Sequence, residues 1–590
     1  MATEHERVEI VTIGGGATAA MLAALILPET SHRVVSIEQG DDRWTYPDFG
    51  HNHDALAHES RYAMMQDLSQ VSWTWRPDAN SPALPMRQYG SFNPGQGLGG
   101  SMVHWTALSW RFAPETFEYR THYTERYGAD RIPDEMTVQD WPISYDDLEP
   151  YYDTVEYDMG ISGQAGNLGG TIIPGGNPFE GPRSRPYPNP PLAESAFGQM
   201  FSAATKKLGL HPFPTPAGIL SRGYTDRFGN NRAACLYCGF CTRYGCEVGA
   251  KTSPITTWLP PALETGRYEV RTRSHVIGIE TAPDGTATGV RYVNADGEEH
   301  FQPADIVVSS SYTLENIRNL LLARSDAHPD GIGNDRGMVG KNYTYQMSQT
   351  PAKGVWEGRR FHFYMGNGCT APQVFDYDSD HFDHSDLDFI GGARIFASAG
   401  QRQPLESANG LLEGLTDRQW GADWKASFAQ NWDSVGSVGI NGESPAYAGN
   451  FCDLDPNYKD AWGRPLLRIT FGWRENERRM YRFIAERCAE MLDAMGPDRA
   501  TYTRELPDYR YDVYQSTHAT GGCIMGNDPG DSVTNSYGQV WDTPNVFVTG
   551  AALYPQNPSP NPTLTLAALA YRTAEAIRDR YFDAPGELLS

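Results

Sequence analysis

The sequence is poor in basic residues: 48 Lys and Arg stand against 73 Asp and Glu, which gives a net charge of -25. A surface with such an excess of negative charge repels the phosphates of nucleic acids and the headgroups of anionic lipids. The chain also has no run of about 18 apolar residues, the length that a helix needs to span a bilayer. Neither nucleic-acid binding nor a direct membrane span is therefore predicted.

Other features are missing as well. The N-terminus lacks the basic start and apolar core of a signal peptide, so we expect a cytoplasmic protein, or a periplasmic one if a partner subunit carries it through export. Eight cysteines in 590 residues are too few for a disulfide scaffold. With 39% hydrophobic and 12% aromatic residues, however, the composition is that of a globular protein.

The first 40 residues follow the pattern of a strand, a glycine-rich turn, a helix and a second strand. Residues 8–13 form a run rich in β-branched residues, and the second strand ends at Glu38. Gly14, Gly16 and Ala19 match G-x-G-x-x-[GA], in which a pyrophosphate approaches the backbone at the start of a helix. Glu38 follows Gly14 by 24 residues, where it can accept a hydrogen bond from a ribose hydroxyl. The alternative is a glycine-rich turn without a ligand.

Two later glycine-rich segments extend this predicted dinucleotide site. The first is 95–105, Gly-Gln-Gly-Leu-Gly-Gly-Ser-Met-Val-His-Trp, and the second is 548–552, Val-Thr-Gly-Ala-Ala. Three remote segments that converge on one cofactor suit a long FAD better than NAD. The βαβ start also predicts a parallel sheet. Further strands are predicted at 269–273, 276–280, 287–293, 305–310 and 546–549, and helices after 313, around 480–495 and from about 563.

At these motifs the sequence resembles the glucose-methanol-choline (GMC) flavin oxidoreductases along nearly its whole length. The matching segments are 99–105, 518–526 and 561–565, besides the N-terminal glycine motif. Within that family it is most similar to the branch of bacterial gluconate 2-dehydrogenase flavoproteins. The short segments that carry this closer resemblance are 84–88, 122–128, 176–185 and Cys238-Gly-Phe-Cys.

The resemblance implies an α/β fold (α+β overall) with a GMC-type, Rossmann-like FAD domain and a substrate domain built on an antiparallel sheet. The FAD domain is expected from 1–110, 215–340 and 505–590, the substrate domain from 341–504, and excursions with a lid from 111–214. The residues expected at the FAD are Gly14, Gly16, Thr18, Ala19, Glu38, Gly99, Gly100, Ser101, His104, Val276, Gly550, Ala551, Asn561, Pro562 and Thr563.

His104 is a candidate for a covalent bond to the FAD. In covalently flavinylated relatives, the histidine of a Gly-Gly-x-x-x-His-Trp segment is bonded to the 8α-methyl group of the flavin. Residues 99–105 keep that spacing. The alternative is a histidine that packs beside the flavin without a bond.

His518 and Asn561 are the predicted catalytic residues. Oxidation of an alcohol sends a hydride from carbon to flavin N5 and needs a base for the hydroxyl proton, a role that suits a neutral imidazole. An amide can hold the alcohol oxygen by donating a hydrogen bond to it. In the family that the sequence resembles, the residues that match this pair lie over the flavin. The alternative for His518 is a purely structural role.

Four of the eight cysteines fall within twelve positions: Cys235, Cys238, Cys241 and Cys246. Their spacing is denser than that of a zinc ribbon and is similar to a ferredoxin run, although Glu247 stands where such a run has proline. The predicted metal site is an iron–sulfur cluster. Related sugar dehydrogenases carry a [3Fe-4S] cluster, which needs only three cysteines, and the resemblance therefore favours that form. Structural zinc, disulfides and free thiols are the alternatives.

The predicted function is FAD-dependent oxidation of a secondary alcohol of a sugar, sugar acid or glycoside, with His518 as the base. Electrons would pass through the iron–sulfur cluster to an acceptor: a quinone, a cytochrome c subunit or oxygen. The resemblance also implies a small export subunit as a partner. An oxygen-using sugar or glycoside oxidase is the main alternative. A non-catalytic electron-transfer subunit is disfavoured because an electron carrier needs no proton acceptor beside its flavin.

Overall fold

The computed structural model of the protein describes residues 2–45, 48–49, 65–87, 92, 94–361, 369–399, 408, 410–513 and 516–588. Parts of the predicted FAD and substrate domains, 50–64 and 400–407 among them, lie outside the described residues, as do single positions such as Gln88. Within the described chain, no helix has both the length and the apolarity to cross a membrane.

The first sheet has eight strands, and its centre is parallel. Val8–Ile13 lies between Val34–Ile37 and Glu299–Ser309, with all three strands parallel, as the predicted βαβ start requires. The central strand is almost wholly buried, as is typical when helices cover both faces of a parallel sheet. In sheet order the strands are Tyr268–Arg271, Val34–Ile37, Val8–Ile13, Glu299–Ser309, Ala287–Val293 and His275–Thr281, with Thr3–Glu4 and Val546–Val548 also paired to Glu299–Ser309.

Three helices that pack against one another lie beside this sheet: Ala17–Ile26, Tyr145–Met159 and Thr563–Ala576. The first and the last are rich in buried alanine, and such small side chains allow two helix backbones to approach closely. The helix predicted from about residue 563 is therefore confirmed. Those predicted after 313 and around 480–495 are confirmed as Thr313–Leu322 and Glu475–Ala494.

The second sheet has six strands, all antiparallel. Helix Glu475–Ala494 packs on it through a buried stripe that includes Met480, Ile484 and Cys488, at the spacing expected of an amphipathic helix. In order, the strands are Arg499–Tyr502, Met347–Val355, Val435–Gly442, Ala393–Ser398, Pro372–Val374 and Phe213–Pro214. The chain therefore has the mixed α/β character predicted for it, with an antiparallel sheet.

A third sheet joins distant parts of the chain. Pro465–Thr470 pairs in parallel with Trp73–Arg76, and Phe451–Lys459 and Leu84–Pro85 complete the four strands. The sheet combines residues that the sequence assigns to the two domains, whose boundaries stay a prediction. The two-stranded pairs are Asn167–Leu168 with Thr171–Ile172, Tyr224–Thr225 with Asn231–Arg232, and Thr344–Tyr345 with Ala519–Thr520. The other helices are Leu27–Glu29, Gly100–Val103, Pro114–Phe117, Tyr119–Tyr127, Ala129–Arg131, Ala196–Lys207, Pro254–Thr257, Leu259–Glu264, Gly421–Asn431, Ala551–Leu553 and Ile577–Tyr581.

A buried cluster of charges holds the segment 111–214 together. Glu156, on helix Tyr145–Met159, accepts hydrogen bonds from Arg111 Nε at 2.9 Å and Nη2 at 3.0 Å, and a further one from Arg183. All three side chains are essentially inaccessible to solvent. Burial alone would raise the pKa of Glu156, but the two guanidinium groups lower it below its usual value. The carboxylate therefore stays ionised and neutralises part of the buried positive charge.

We predict that Glu156→Gln will destabilise the protein by about 3–5 kcal/mol, because it leaves two buried guanidinium groups without their shared carboxylate. Thermal unfolding followed by circular dichroism would show this as a fall in Tm. Glu505→Gln is the matched control: its side chain is 71% exposed and pairs with Arg482 on the surface, so it should leave the Tm essentially unchanged. Equal Tm values for Glu156→Gln and the unmodified protein would contradict the prediction.

Candidate active site

A cavity of about 470 Å³ lies where the two large sheets meet. Its lining includes Ile13 and Ile37, the last residues of two parallel strands, and residues of the antiparallel strand Ala393–Ser398. In open α/β sheets, ligands bind outside the carboxyl ends of the parallel strands, and this volume is in the range of cofactor and ligand sites.

The glycine-rich turn at one end of the cavity is shaped for a phosphate. Gly14 has a φ of +103°, and a Cβ at this position would lie 3.0 Å from the carbonyl oxygen of Ser310. Helix Ala17–Ile26 begins at Gly16 with no side-chain cap and no acidic residue in its first turn. Its first N–H groups are thus left for a ligand, and the helix dipole favours an anion there. The residues present fit the pyrophosphate of a dinucleotide such as FAD.

Glu38 connects the glycine-rich segments to one another. Its Oε2 accepts from the Gly15 N–H at 2.9 Å, and its Oε1 accepts from the N–H groups of Gly40 at 2.8 Å and Gly97 at 2.9 Å. Burial raises the pKa of this carboxyl group above its usual value. The sequence predicts only a ribose contact for Glu38, and that contact stays a prediction. The bracing of two glycine-rich turns by its carboxylate is a role that the motif did not indicate.

Most of the predicted site residues meet at this cavity, although they come from segments more than 500 residues apart. Two do not line it. Ala19 is buried in its helix. Gly99 has a φ of +85° and donates its N–H to Gly15 O at 3.0 Å, so it supports the glycine-rich turn. The predicted residues that line the cavity are Gly14, Gly16, Thr18, Glu38, Gly100, Ser101, His104, Val276, His518, Gly550, Ala551, Asn561, Pro562 and Thr563.

The surroundings of His518 determine which ring nitrogen carries its proton. Gln346 Nε2 donates to three carbonyl oxygens of the segment 558–560, at 2.9, 2.8 and 3.2 Å. Gln346 Oε1 therefore faces His518 Nδ1, at 2.6 Å. Because an amide oxygen can only accept, Nδ1 carries the hydrogen and Nε2 keeps its lone pair.

Asn561 faces that lone pair with a donor. Its Oδ1 accepts from Trp110 Nε1 at 3.0 Å and from Arg394 Nη2 at 2.8 Å, and both of these groups can only donate. The amide nitrogen Nδ2 is therefore the group that lies 3.3 Å from His518 Nε2. The amide N–H and the imidazole lone pair thus face each other at the cavity wall, and an alcohol oxygen that enters between them would meet a donor on one side and a proton acceptor on the other.

His518 is uncharged in this environment. Burial and the positive charge of Arg394 lower the pKa of His518 to about 3. A second ring proton would also face the amide donor of Asn561. The imidazole is therefore neutral at any pH near neutrality, and its Nε2 lone pair, which faces the Asn561 amide N–H at 3.3 Å, is the position that can accept a proton.

Arg394, Gln346 and Trp110 are residues of this site that sequence reasoning missed. Arg394, Phe396 and Ser398 are alternate residues of one strand, and all three line the cavity. The sequence signal that could have identified Arg394 is a charged residue within a mostly apolar strand. No motif marks Gln346 or Trp110.

The cysteine loop lies next to the cavity, and none of its four cysteines lines it. Its residues Thr242 and Arg243 do line it, and the Arg243 N–H donates to the carbonyl oxygen of His104 at 2.7 Å. The buried Lys251 donates its Nζ hydrogens to the carbonyl oxygens of Trp105, Cys241 and Tyr244, at 2.8, 2.7 and 2.7 Å. The loop is thus attached to the His104–Trp105 segment of the predicted FAD site.

The four sulfur atoms of this loop are free thiols and are not tightly grouped. In the part of the chain that the structure describes, no three of them lie within 4.8 Å of one another. Tetrahedral zinc, with Zn–S bonds of about 2.3 Å, would hold its sulfurs roughly 3.8 Å apart. Burial raises the pKa of Cys235 to about 11 and that of Cys241 further. The loop in this arrangement is therefore not a closed zinc site, and no disulfide joins these cysteines.

Comparison with known proteins agrees with this geometry. Two family profiles described as GMC oxidoreductase match residues 192–348 and 446–570. The chain is 36% identical to the gluconate 2-dehydrogenase flavoprotein of Pantoea cypripedii, over 100% of this chain and 96% of the relative. It is 29% identical to the 2-methyl-1,2-propanediol dehydrogenase of Mycolicibacterium austroafricanum, over 99% and 97% of the two chains.

A solved structure shares the fold. The crystal structure of pyridoxine 4-oxidase from Mesorbium loti superposes with a TM-score of 0.60 at 15% identity, and the match covers 96% of this chain and 99% of the other. The chain belongs to the GMC oxidoreductase family. It is accordingly an FAD-dependent oxidoreductase that acts on CH–OH groups.

We predict that Glu38→Gln will lower the amount of FAD bound per chain. The amide keeps the shape of the carboxylate, but its NH2 group must face at least one of three main-chain N–H donors, at a cost of about 1–3 kcal/mol, or roughly a tenfold to hundredfold weaker site. The flavin-to-protein ratio after purification without added FAD measures the effect.

Glu269→Gln is the control for this variant, because Glu269 lies on the neighbouring strand Tyr268–Arg271, is 56% exposed and pairs with Arg271. It should retain the flavin of the unmodified protein. An unchanged ratio in Glu38→Gln would show that the two glycine-rich turns do not depend on its carboxylate.

Proposed function

We propose that this protein oxidises a secondary alcohol of a sugar, sugar acid or glycoside and passes the electrons to an acceptor other than oxygen. The observation that carries the proposal is that the His518 Nε2 lone pair and the Asn561 amide N–H lie 3.3 Å apart at the cavity wall, with the orientation of each ring or amide fixed by its other contacts. FAD, when bound, supplies the hydride acceptor at its N5 atom. The remaining chemistry falls to side chains of this chain.

The proposed reaction needs one proton transfer and one orienting hydrogen bond. The Asn561 N–H donates to the alcohol oxygen, which turns the hydroxyl hydrogen toward His518 Nε2. As the hydride leaves the carbon, the hydroxyl proton moves to Nε2, so the substrate loses two electrons and two hydrogens and becomes a carbonyl compound. The Nδ1–H of the charged ring keeps its acceptor, Gln346 Oε1, throughout. That acceptor supports the charge that the base acquires.

The polar lining of the substrate side supports a polyhydroxylated substrate. Ser348, Gln373, Ser398 and Asn441 line the cavity from the antiparallel sheet and offer hydrogen-bonding groups beside the catalytic pair. Buried polar groups of this kind select for substrates that satisfy their hydrogen bonds. The name of one relative above, a gluconate 2-dehydrogenase flavoprotein, agrees with a polyhydroxylated substrate, whereas the other is named for a small diol whose hydroxyl groups are primary and tertiary.

Electrons are proposed to leave through an iron–sulfur cluster held by the cysteine loop, on toward a quinone or a cytochrome c subunit. Support comes from the four thiols of one loop and from its attachment to the His104–Trp105 segment beside the cavity. A multi-iron cluster separates its thiolates more widely than a single zinc ion does, so the spread of the sulfurs is compatible with it. Periplasmic export with a small partner subunit belongs to the same proposal.

An oxygen-using sugar or glycoside oxidase is the second candidate. The raised pKa of the thiols of Cys235 and Cys241 favours it, because metals and clusters are held by deprotonated sulfur. In that reading the cysteine loop is structural.

His518→Ala should slow anaerobic flavin reduction by roughly 10²–10⁴, the usual contribution of a general base, while FAD content is retained. The measurement is stopped-flow bleaching of the flavin band with a panel of sugars, sugar acids and glycosides. His211→Ala, at a histidine whose side chain is 60% exposed, is the control and should reduce its flavin normally. A His518→Ala protein that reduces its flavin at the unmodified rate would eliminate the proposed base.

Protein purified without air should contain non-haem iron and acid-labile sulfide, because converging thiolates bind such metals. Cys238→Ser and Cys241→Ser should remove both and leave FAD bound. Substrate should still bleach the variant flavin, whereas turnover with an external one-electron acceptor should fall. Cys488→Ala, in helix Glu475–Ala494 and away from the loop, should keep the metal. Zinc, or no metal, in the unmodified protein would overturn the cluster and favour the oxidase.

A further inference from the structure

An imidazole and two carboxylates from separate parts of the chain meet outside the cavity. His328 and Asp335 lie in the segment that follows helix Thr313–Leu322, and Asp542 precedes strand Val546–Val548. One ligand atom from each of these three side chains lies within 4.8 Å of the other two. None of the three residues lines the cavity, so the cluster is separate from the site proposed for FAD and the alcohol.

His328 is oriented as a metal-binding histidine is. It is 3% exposed, and its Nε2 lies 2.9 Å from the carbonyl oxygen of Gly285. Because a carbonyl oxygen can only accept, Nε2 carries the hydrogen of the neutral ring and Nδ1 keeps a lone pair. Nδ1 lies 4.0 Å from Asp542 Oδ2 and has no hydrogen-bond partner among the described residues. A histidine that binds a metal commonly donates its other ring N–H to such a carbonyl, which fixes the ring and its tautomer.

The carboxylate of Asp542 is also held in place by its surroundings. The Gly333 N–H donates to both of its oxygens, at 3.0 Å each, and the Thr543 hydroxyl donates to Oδ1 at 2.9 Å. Oδ2 therefore faces the lone pair of His328 Nδ1. Two acceptors that face each other have no hydrogen to share, and a cation between them supplies the missing attraction.

Asp335 brings a second carboxylate to the cluster and is exposed to solvent. Among the described residues, no lysine or arginine nitrogen lies within 4.0 Å of the carboxylate of Asp335 or of Asp542. Two neighbouring carboxylates repel each other, and a bound divalent cation reverses that effect because it is the largest charge in the site.

The cluster has the dimensions of a metal site whose ligands are still slightly apart. Three atoms within 4.8 Å of one another share a point that is at most about 2.8 Å from each, whereas bonds from zinc to nitrogen or oxygen are about 2.0–2.2 Å long. Shifts of less than about 1 Å close this difference, and the exposed side chain of Asp335 is free of packing that would oppose them. The ion occupies the space between the ligand atoms, so Nδ1 needs no solvent contact of its own.

We propose that His328, Asp335 and Asp542 bind a divalent transition-metal ion, and that Zn²⁺ is the ion that this set of ligands fits best. Imidazole suits zinc and its neighbours in the first transition row, whereas Mg²⁺ and Ca²⁺ prefer oxygen ligands alone. Water completes the coordination. The ion joins the segment after helix Thr313–Leu322 to the segment before strand Val546–Val548, so its role is to stabilise the fold, and the inference does not depend on the proposed alcohol oxidation.

The test compares the FAD-bound protein with Asp335→Asn, which keeps the shape of an exposed side chain and removes its charge. Each protein is treated with EDTA and dialysed against Zn²⁺, and its zinc content is measured. The unmodified protein should bind one zinc ion more than the variant, or bind it at least about tenfold more tightly. Asp330→Asn, at an exposed acidic residue of the same segment, is the matched control and should bind zinc as the unmodified protein does.

A second measurement identifies the ligands, because the cysteine loop can bind zinc as well. X-ray absorption at the zinc edge is recorded on the double variant Cys238→Ser, Cys241→Ser, loaded with one equivalent of Zn²⁺. It should show nitrogen and oxygen at about 2.0–2.2 Å and no sulfur at about 2.3 Å. Zn²⁺ should also raise the Tm of this protein by mass action, and should raise it less once Asp335→Asn is added.

Three results would overturn the inference. The first is equal zinc content and equal affinity in Asp335→Asn and the unmodified protein, with flavin content and circular dichroism establishing that the variant is folded. The second is a zinc site in the double cysteine variant whose ligands are sulfur. The third is a rise in Tm with Ca²⁺ or Mg²⁺ and none with Zn²⁺. Each readout is metal binding or unfolding, so failure of the proposed alcohol oxidation would leave these results unaffected.

Discussion

The hydrogen bond between Gln346 Oε1 and His518 Nδ1 is the contact on which the chemistry of this protein depends. The amide of Gln346 cannot rotate without losing three carbonyl acceptors in the segment 558–560. It therefore holds the imidazole in the tautomer whose Nε2 can accept a proton. Asn561 is oriented by Trp110 and Arg394 and presents its N–H to His518 Nε2. Two amides with fixed orientations therefore define the proton-accepting site.

The fold places this pair beside a cofactor site by bringing the edges of two sheets together. The parallel strands end at the glycine-rich turn and at Glu38, whose carboxylate connects that turn to the segment 95–105. The antiparallel sheet supplies Arg394 and the polar lining on the other side. The cofactor side of the cavity thus includes several glycines, where a ligand can approach the main chain, whereas the antiparallel sheet contributes polar side chains. The main-chain contribution is set by the fold, and the side chains can adapt the site to a substrate.

The sequence predicted the parts of this arrangement that depend on short-range patterns. Val8–Ile13, the glycine-rich turn and Val34–Ile37 are encoded by local periodicity and by glycines that must adopt particular dihedral angles. The strand expected at 305–310 is the second half of Glu299–Ser309, because its first half pairs with a neighbouring hairpin strand rather than forming a loop.

The sequence could not predict Gln346 or Arg394, since their roles arise from contacts across 167 to 214 residues of chain. In the sequence, Arg394 is one basic residue among 48, and only its burial with no carboxylate partner among the described residues makes it unusual. The cysteine spacing indicates that the four thiols share a loop, but it does not determine how far apart their sulfur atoms lie. Which metal, if any, the loop holds stays a prediction.

Nitrogen NMR of the holoenzyme labelled with ¹⁵N-histidine tests the central claim most directly, with His518→Asn used to assign the signals of His518. We expect Nδ1 to carry a proton and Nε2 to carry none, with no change between pH 5 and pH 8, because the pKa of His518 lies near 3. A proton on Nε2 in the neutral ring, or a titration near the ordinary histidine pKa of about 6.5, would contradict the account.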